Sequence, residues 1–530
     1  MSARFSSEFP YPSQRMPVLA RNVVATSQPL AAQAGLQALQ RGGNAVDAAI
    51  AAAVTLTVVE PTSNGIGSDL FAILWADGQL HGLNSSGRSP AKLDAGAFAG
   101  RSTMPTHGWE AVTVPGAVAG WAALSHRFGR LPFRELFESA ISYAADGYLL
   151  SPITAAAWQR AAAGPLKDQP DFVREFTSEG RAPQAGELIR LPGHARSLQL
   201  IADSGGREFY EGSLAAKIAA HARSGGSWLS EADLAAHQPD WVDTIHVGFA
   251  GSELHELPPN GQGIAALTAL GLLQHTDIAE HEPDSVQALH LQLEAMKLAF
   301  ADTHRYVADP AHMKVASSAL LDPDYLEERA RLIDPGRAQD FSHGRPPGSG
   351  TVYLSAADQD GMMVSLIQSN YMGFGSGIVV PETGIALQNR GAGFSLQEGH
   401  PNRVGPGKRP FHTIIPGFLT TGGQPELSFG VMGGPMQPQG HLQVVLRMKL
   451  WGQNAQAASD APRWQVQEGL KVLLEDSVSP EVREGLTRLG HQVSTGEQGV
   501  FGGAQLVQRL ADGQYLAASD HRKDGQAVGF

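Results

Sequence analysis

Two kinds of apolar pattern alternate along the chain. Residues 31–40 and 48–58 are both rich in small apolar side chains; in the second run these occupy nearly every face rather than one stripe, which suits a helix pressed between other layers. The first run predicts a helix stopped by the Gly42-Gly43 pair. The second predicts a helix begun near Asn44, whose side chain can take up a free N–H of the first turn. Residues 71–75 read as a strand that turns at Asp77-Gly78. Helical spacing returns at 115–128, with Pro115 suited to a first turn, and at 133–145, 264–273 and 285–307. The stretch 150–242 is more polar, contains helical pieces and shows no obvious linker.

Between 332 and 350 the periodicity stops. Pro335, Gly336, Gly344, Pro346, Pro347, Gly348 and Gly350 crowd this segment, which predicts a surface loop open to cleavage. Residues 351–357 then alternate, with Val352, Leu354 and Ala356 on one face and Thr351, Tyr353 and Ser355 on the other. Asp360-Gly361 is a hairpin signal, and 362–368 follows as a largely apolar strand. Further strands are expected at 427–432 and 470–475, and helices at 439–450 and 480–489. Strands apolar on both faces, set among helices, predict an α/β (α+β) chain with sheets sandwiched between helical layers.

Composition narrows the class. Of 530 residues, 42% are apolar and 17% charged, the balance of a folded globular chain. Net charge is −13 with no dense Lys/Arg cluster, which argues against a nucleic-acid partner. The longest apolar run, about 48–59, is too short to span a bilayer, so no membrane partner is expected. The first residues carry no apolar leader, and a cytoplasmic protein is expected. The absence of cysteine removes disulfides, thiolate metal sites and cysteine nucleophiles together. The histidines are scattered without ligand spacing. Gly65-Ile66-Gly67 and Gly391-Ala392-Gly393 lack the strand–GxGxxG–helix frame. No metal and no cofactor are expected.

The loop-to-strand junction at Gly350-Thr351 carries chemistry of its own. If the chain is cut there, Thr351 offers a hydroxyl and a free α-amine, whose pKa of about 7.7–8.0 leaves part of it unprotonated at neutral pH. The amine can take the hydroxyl proton and activate the nucleophile. A two-residue hairpin loop at Asp360-Gly361 would set Thr351 opposite Asn370; one more loop residue would set it opposite Ser369. Either register brings Ser369, Asn370 and Tyr371 towards it. The local pattern alone is equally that of an ordinary strand-starting threonine.

A set of segments in order resembles the γ-glutamyltransferase (γ-glutamyltranspeptidase) family over nearly the whole chain: GGNAVDAAIAAAVTLTVVEPTSNGIGSD at 42–69, VTVPGAVAGW at 112–121, ELPPNGQG at 256–263, EAMKLAFAD at 294–302, TVYLSAADQDGMMVSLIQSNYMGFGSGI at 351–378, LQNRGAGFS at 387–395, GKRPFHTIIP at 407–416 and FGVMGGPMQPQG at 429–440. The resemblance implies a four-layer αββα N-terminal-nucleophile hydrolase. It implies a proenzyme cut between Gly350 and Thr351 into segments 1–350 and 351–530 that together form one fold. The two segments would then stay associated, with a dimer of such pairs left open. Thr351 takes the position of the family's catalytic threonine. Ser369 matches its second hydroxyl residue, and Gly433-Gly434 match the diglycine whose N–H groups form the oxyanion hole.

The acyl-recognition positions depart from the family pattern. The arginine that clasps the α-carboxylate aligns with Ser86, with Arg88 two places on. The Gln and Asp that hold the α-amino group align with Arg390 and Gly393, and the adjacent serine pair with His412 and Thr413. Arg88 and Arg390 are therefore candidate carboxylate binders, and Asn370, Tyr371 and Asn389 are candidate polar contacts. Only residues 394–411 separate Gly393 from His412, too few for a lid loop, so an open site is expected. The resemblance implies a hydrolase or transferase acting on a small-molecule γ-glutamyl amide such as glutathione, with hydrolysis favoured. A glutaryl-type acylase, as in the related cephalosporin acylases, is the second expectation; a non-catalytic binding protein of the same fold is the third.

Overall fold

The computed structural model describes residues 14–341 and 350–530. The part of the expected cleavage loop at 342–349 lies outside the described residues. Two seven-stranded sheets form the centre. One runs Val18–Ala20, Tyr515–Ser519, Ala504–Arg509, Gln424–Val431, Gly417–Thr421, Ser252–Glu256, Ile245–Phe249. The other runs Gln526–Gly529, Val23–Thr26, Gly350–Ala357, Met363–Tyr371, Asp69–Ala76, Gln79–Ser85, Asp240–Val242. Neighbouring strands in both are antiparallel. Each sheet takes strands from both sides of Thr351.

The alternation read at 351–357 is what divides the layers. Val352, Leu354 and Ala356 belong to the core beneath helices Pro29–Gln40, Ala45–Val59, Ala117–Phe128 and Glu138–Asp146. Tyr353 and Ala357 point the other way, into a second core between the sheets with Phe71, Ile73, Ile367, Phe418 and Val507. A third core lies under helices Gly263–Leu273, Val286–Tyr306 and Met436–Lys449. The layers therefore stack α, β, β, α, as expected.

Ala45–Val59 is buried at all 15 positions. Only small side chains allow such close approach on every face. Its start is fixed reciprocally: Asn44 Oδ1 accepts from the Asp47 N–H and Asp47 Oδ2 from the Asn44 N–H, both at 3.0 Å. The helix expected at 133–145 is a short 3-10 turn, Phe133–Phe137, running into Glu138–Asp146. Among the described residues no helix is long and apolar enough to cross a membrane.

Candidate active site

Strand register places the nucleophile. Val352 pairs with Gln368 and Tyr353 with Ile367. The hairpin closes with Asp358 N–H to Met362 O at 3.1 Å and Gly361 N–H to Asp358 O at 3.0 Å, with Gly361 at φ 95°. This is the longer of the two loops considered, and it carries Thr351 to Ser369. A bulge between Gly350 and Val352 then shifts Gly350 to Tyr371. The Thr351 hydroxyl donates to Ser369 Oγ at 3.3 Å, which also accepts the Tyr371 N–H at 2.8 Å. Gln437 Nε2 donates to Thr351 Oγ1 at 3.4 Å. All of these side chains are buried.

Gln437 stands in the first turn of Met436–Lys449, just past Gly433-Gly434. The diglycine turns the chain from strand Gln424–Val431 into that helix with φ of 122° and 60°, a left-handed path that other residues adopt only under strain. The Gly434 carbonyl accepts from the Gln437 N–H at 3.1 Å and from Gln262 Nε2 at 2.9 Å. Gln262 also donates to Thr413 O at 2.6 Å, tying the diglycine to the acyl-recognition segment. The turn lies at the positive end of a helix, where N–H groups lack intrahelical partners.

The candidate recognition residues separate into groups. Arg390 is fully buried, with its guanidinium carbon 4.7 Å above the Tyr371 ring and Nη1 donating to Thr413 Oγ1 at 2.7 Å. Burial lowers its pKa to about 10 against the pull of Asp69 and Tyr371, so it stays a cation at neutral pH. Tyr371 itself holds φ at 78°, the kind of backbone strain found at functional sites. His412 lies on the Phe71 ring, and its Nε2 meets Asp69 Oδ2 at 3.1 Å. The Ile414 N–H directed at Nδ1 puts the His412 proton on Nε2. Burial, then Arg390 and Arg409, hold His412 well below the usual range, hence neutral. Asp69 also accepts the N–H groups of Gly87 and Gly116, at 3.2 and 3.0 Å, and burial pushes its pKa up to about 7.

Other candidates are engaged elsewhere. Arg88 is half exposed and ion-paired with Asp309 at 2.9 Å. Asn370 accepts from the Ser68 hydroxyl at 2.9 Å, and its Nδ2 lies against Gly65. Asn389 accepts the Met372 N–H at 3.1 Å and donates to Thr106 O at 2.7 Å, holding the backbone just past Tyr371. Gly393 ends the short turn Arg390–Gly393, and a Cβ there would stand 2.5 Å from the Phe411 carbonyl. Glycine at this position is therefore a packing requirement, and a carboxylate could not be added without moving residue 411.

Gln437, Gln262 and Asp69 belong to the site and were not singled out from the sequence, although each lies within a segment quoted for the resemblance. A second buried polar cluster was also missed: His290, Glu294 and His491 have ligand atoms close enough to hold a metal ion. Lys297 fills the cation's role there. Its ammonium donates to Glu294 Oε1 at 2.6 Å, to Gln339 O at 3.0 Å and to His491 Nδ1 at 3.5 Å.

The chain belongs to the gamma-glutamyltranspeptidase family, whose model matches residues 31–530. Its fold is that of the N-terminal-nucleophile hydrolases of this family. It is 35% identical to the glutathione hydrolase-like YwrD proenzyme of Bacillus subtilis over 96% of this chain and 98% of that protein. It is also 35% identical to the oxamate amidohydrolase proenzyme of Klebsiella pneumoniae over 94% and 97%. The crystal structure of cephalosporin acylase from Bacillus halodurans superposes with a TM-score of 0.95 at 46% identity, covering 100% of this chain and 99% of that one.

Proposed function

We propose that the protein is a self-processing amidohydrolase that cleaves γ-glutamyl-type amides through a Thr351 acyl-enzyme. The observation that carries this is the placement of Thr351 at the head of a buried strand, its hydroxyl between Ser369 and Gln437 and close to the Gly433-Gly434 turn. In processing, Thr351 Oγ1 adds to the Gly350 carbonyl carbon and the Gly350–Thr351 C–N bond breaks, leaving an ester. The departing nitrogen takes the hydroxyl proton and becomes the free Thr351 α-amine; water then cleaves the ester and frees the Gly350 carboxylate and the Thr351 hydroxyl. In turnover the amine takes the hydroxyl proton and returns it to the leaving amine of the substrate. The diglycine N–H groups receive the charge that develops on the carbonyl oxygen.

Hydrolysis is favoured over transfer, because the short 394–411 segment offers few walls to orient an amine acceptor against water. The names of the relatives, a glutathione hydrolase-like protein among them, support amide hydrolysis as the class. The second reading, an acylase for glutaryl-type side chains, is favoured by Arg390, a buried cation on the recognition side, and by the likeness to a cephalosporin acylase. The test is a denaturing gel with mass determination of both pieces, then turnover of γ-glutamyl and glutaryl anilides. A fully active chain that stays uncut, or a new N-terminus other than Thr351, would overturn the proposal.

A further inference from the structure

Arg390 is bonded on one side only. Nη1 is taken by Thr413 Oγ1. Nε and Nη2, which together form the other edge of the guanidinium, are buried without a hydrogen-bond partner, and so is the hydroxyl of Tyr371, whose ring lies beneath the same group. A buried donor left unpaired costs about 1–3 kcal/mol, more when it is charged, so three in one place call for an acceptor that arrives from outside. No carboxylate among the described residues is ion-paired with Arg390. The nearest acid in its electrostatic surroundings, Asp69, already accepts from Gly87, Gly116 and His412.

Two parallel N–H groups on one guanidinium edge match the two oxygens of a carboxylate. A water molecule would satisfy only one of them well, and a neutral amide presents a single acceptor oxygen. The surroundings also disfavour a substrate ammonium. Arg390 is a cation, His412 is neutral, and Gly393 has no room for an acid.

Resting on the Thr351 chemistry above, and taking its second, glutaryl-type reading over the γ-glutamyl one, we infer that the Nε–Nη2 edge of Arg390, with the Tyr371 hydroxyl, is a carboxylate subsite that selects acyl groups carrying a terminal carboxylate and no α-ammonium. The substrate class is then the monoamides of short dicarboxylic acids. The acyl chain runs from the carbonyl at Thr351 to its carboxylate at Arg390, with Thr413 holding the guanidinium in place. Arg88, paired with Asp309, has no part in this subsite.

The test compares 4-nitroanilides of glutarate, L-γ-glutamate and valerate on the processed full-length protein, alongside thermal-shift titration with free glutarate and with glutaramide. Two charge-assisted hydrogen bonds predict a kcat/KM for glutaryl about 100-fold above that for valeryl and also above that for γ-glutamyl. Glutarate, and not glutaramide, should raise the melting temperature. Arg390→Gln should bring the glutaryl and valeryl values within about fivefold, and Arg390→Lys, which keeps the charge without the fork, should fall between. A wild-type ratio within tenfold, an unchanged ratio in Arg390→Gln, or equal shifts with glutarate and glutaramide would overturn the subsite. Should Arg390→Gln fail to fold, the wild-type glutarate and valerate comparisons still decide. Glutarate binding without turnover of any anilide would sink the Thr351 chemistry alone, whereas turnover without charge preference would sink the subsite alone.

Discussion

Two of the buried polar clusters among the described residues differ in one respect. In the His290–Glu294–Lys297–His491 cluster every donor meets an acceptor. His290 Nε2 donates to Asp334 O at 2.8 Å and its Nδ1 accepts from His491 Nε2 at 2.8 Å; His491 Nδ1 faces Lys297, and Glu294 Oε2 accepts the Gln339 N–H at 3.1 Å. Burial lowers the Lys297 pKa and raises that of Glu294, and burial, then the Lys297 ammonium, pushes His491 down to about 2. Around Arg390 the donors stay open. A closed network holds backbone, here that of residues 334–339, whereas an open one waits for a ligand. Both clusters are buried and charged; what differs between them is whether their donors are satisfied.

The sharpest way to break this comparison is to disable each cluster in turn. Thr351→Ala, beside the open cluster, should abolish turnover, on the order of 10⁶-fold as for other nucleophiles, and leave one uncut chain that unfolds in urea no earlier than the cut wild type. Lys297→Met, in the closed cluster, should do the reverse. Stripping the partner from buried Glu294 costs about 3–5 kcal/mol, read as a lower urea midpoint, while kcat per processed molecule stays near wild type. Equal effects of the two substitutions on stability would erase the distinction. Gly434→Val should cost about 10²–10³ in kcat in correctly cut protein by displacing backbone donors, since valine cannot hold φ near 60° without strain. A fully active variant would remove the diglycine from the site. The smallest effect concerns the open side: glycylglycine should raise donor turnover less than about threefold if water outcompetes amine acceptors, and a strong stimulation would contradict that.

What could be read from the sequence was what local spacing controls. The hairpin at Asp360-Gly361 narrowed the position opposite Thr351 to Asn370 or Ser369 because register is set within a few residues, and the structure has the longer loop and Ser369. The cap at Asn44 was visible for the same reason, whereas Gly433-Gly434 were singled out only by the family resemblance. What depended on distant pairing was not. Arg88 and Arg390 looked alike as candidate carboxylate binders, and only the fold gives Asp309 to the first and leaves an edge of the second open. Asp69 and His412 meet across 343 positions, and His491 joins His290 across 201, so neither contact had a spacing to betray it. Gly393 looked like a lost acid, yet the Phe411 carbonyl explains it sterically. The strands Ala504–Arg509, Tyr515–Ser519 and Gln526–Gly529 were missed because their polar residues are mixed among apolar ones, unlike the clean alternation at 351–357.

The order of strands has a consequence for a chain cut before Thr351 as proposed. Val23–Thr26 is held between Gln526–Gly529 and Gly350–Ala357, Met363–Tyr371 lies against Asp69–Ala76, Val18–Ala20 pairs with Tyr515–Ser519, and Gly417–Thr421 pairs with Ser252–Glu256. The two products of cleavage are thus laced together at several places in both sheets, and neither could leave without unzipping ladders of hydrogen bonds on both of its flanks. Protomers would not swap halves in solution. A cut molecule that has been melted would have to find the same pairings from two separate chains, a bimolecular problem that the single chain never faced. Its lifetime under heat is therefore governed by how fast it opens rather than by any balance between open and closed forms, and maturation becomes a step the molecule can take only once.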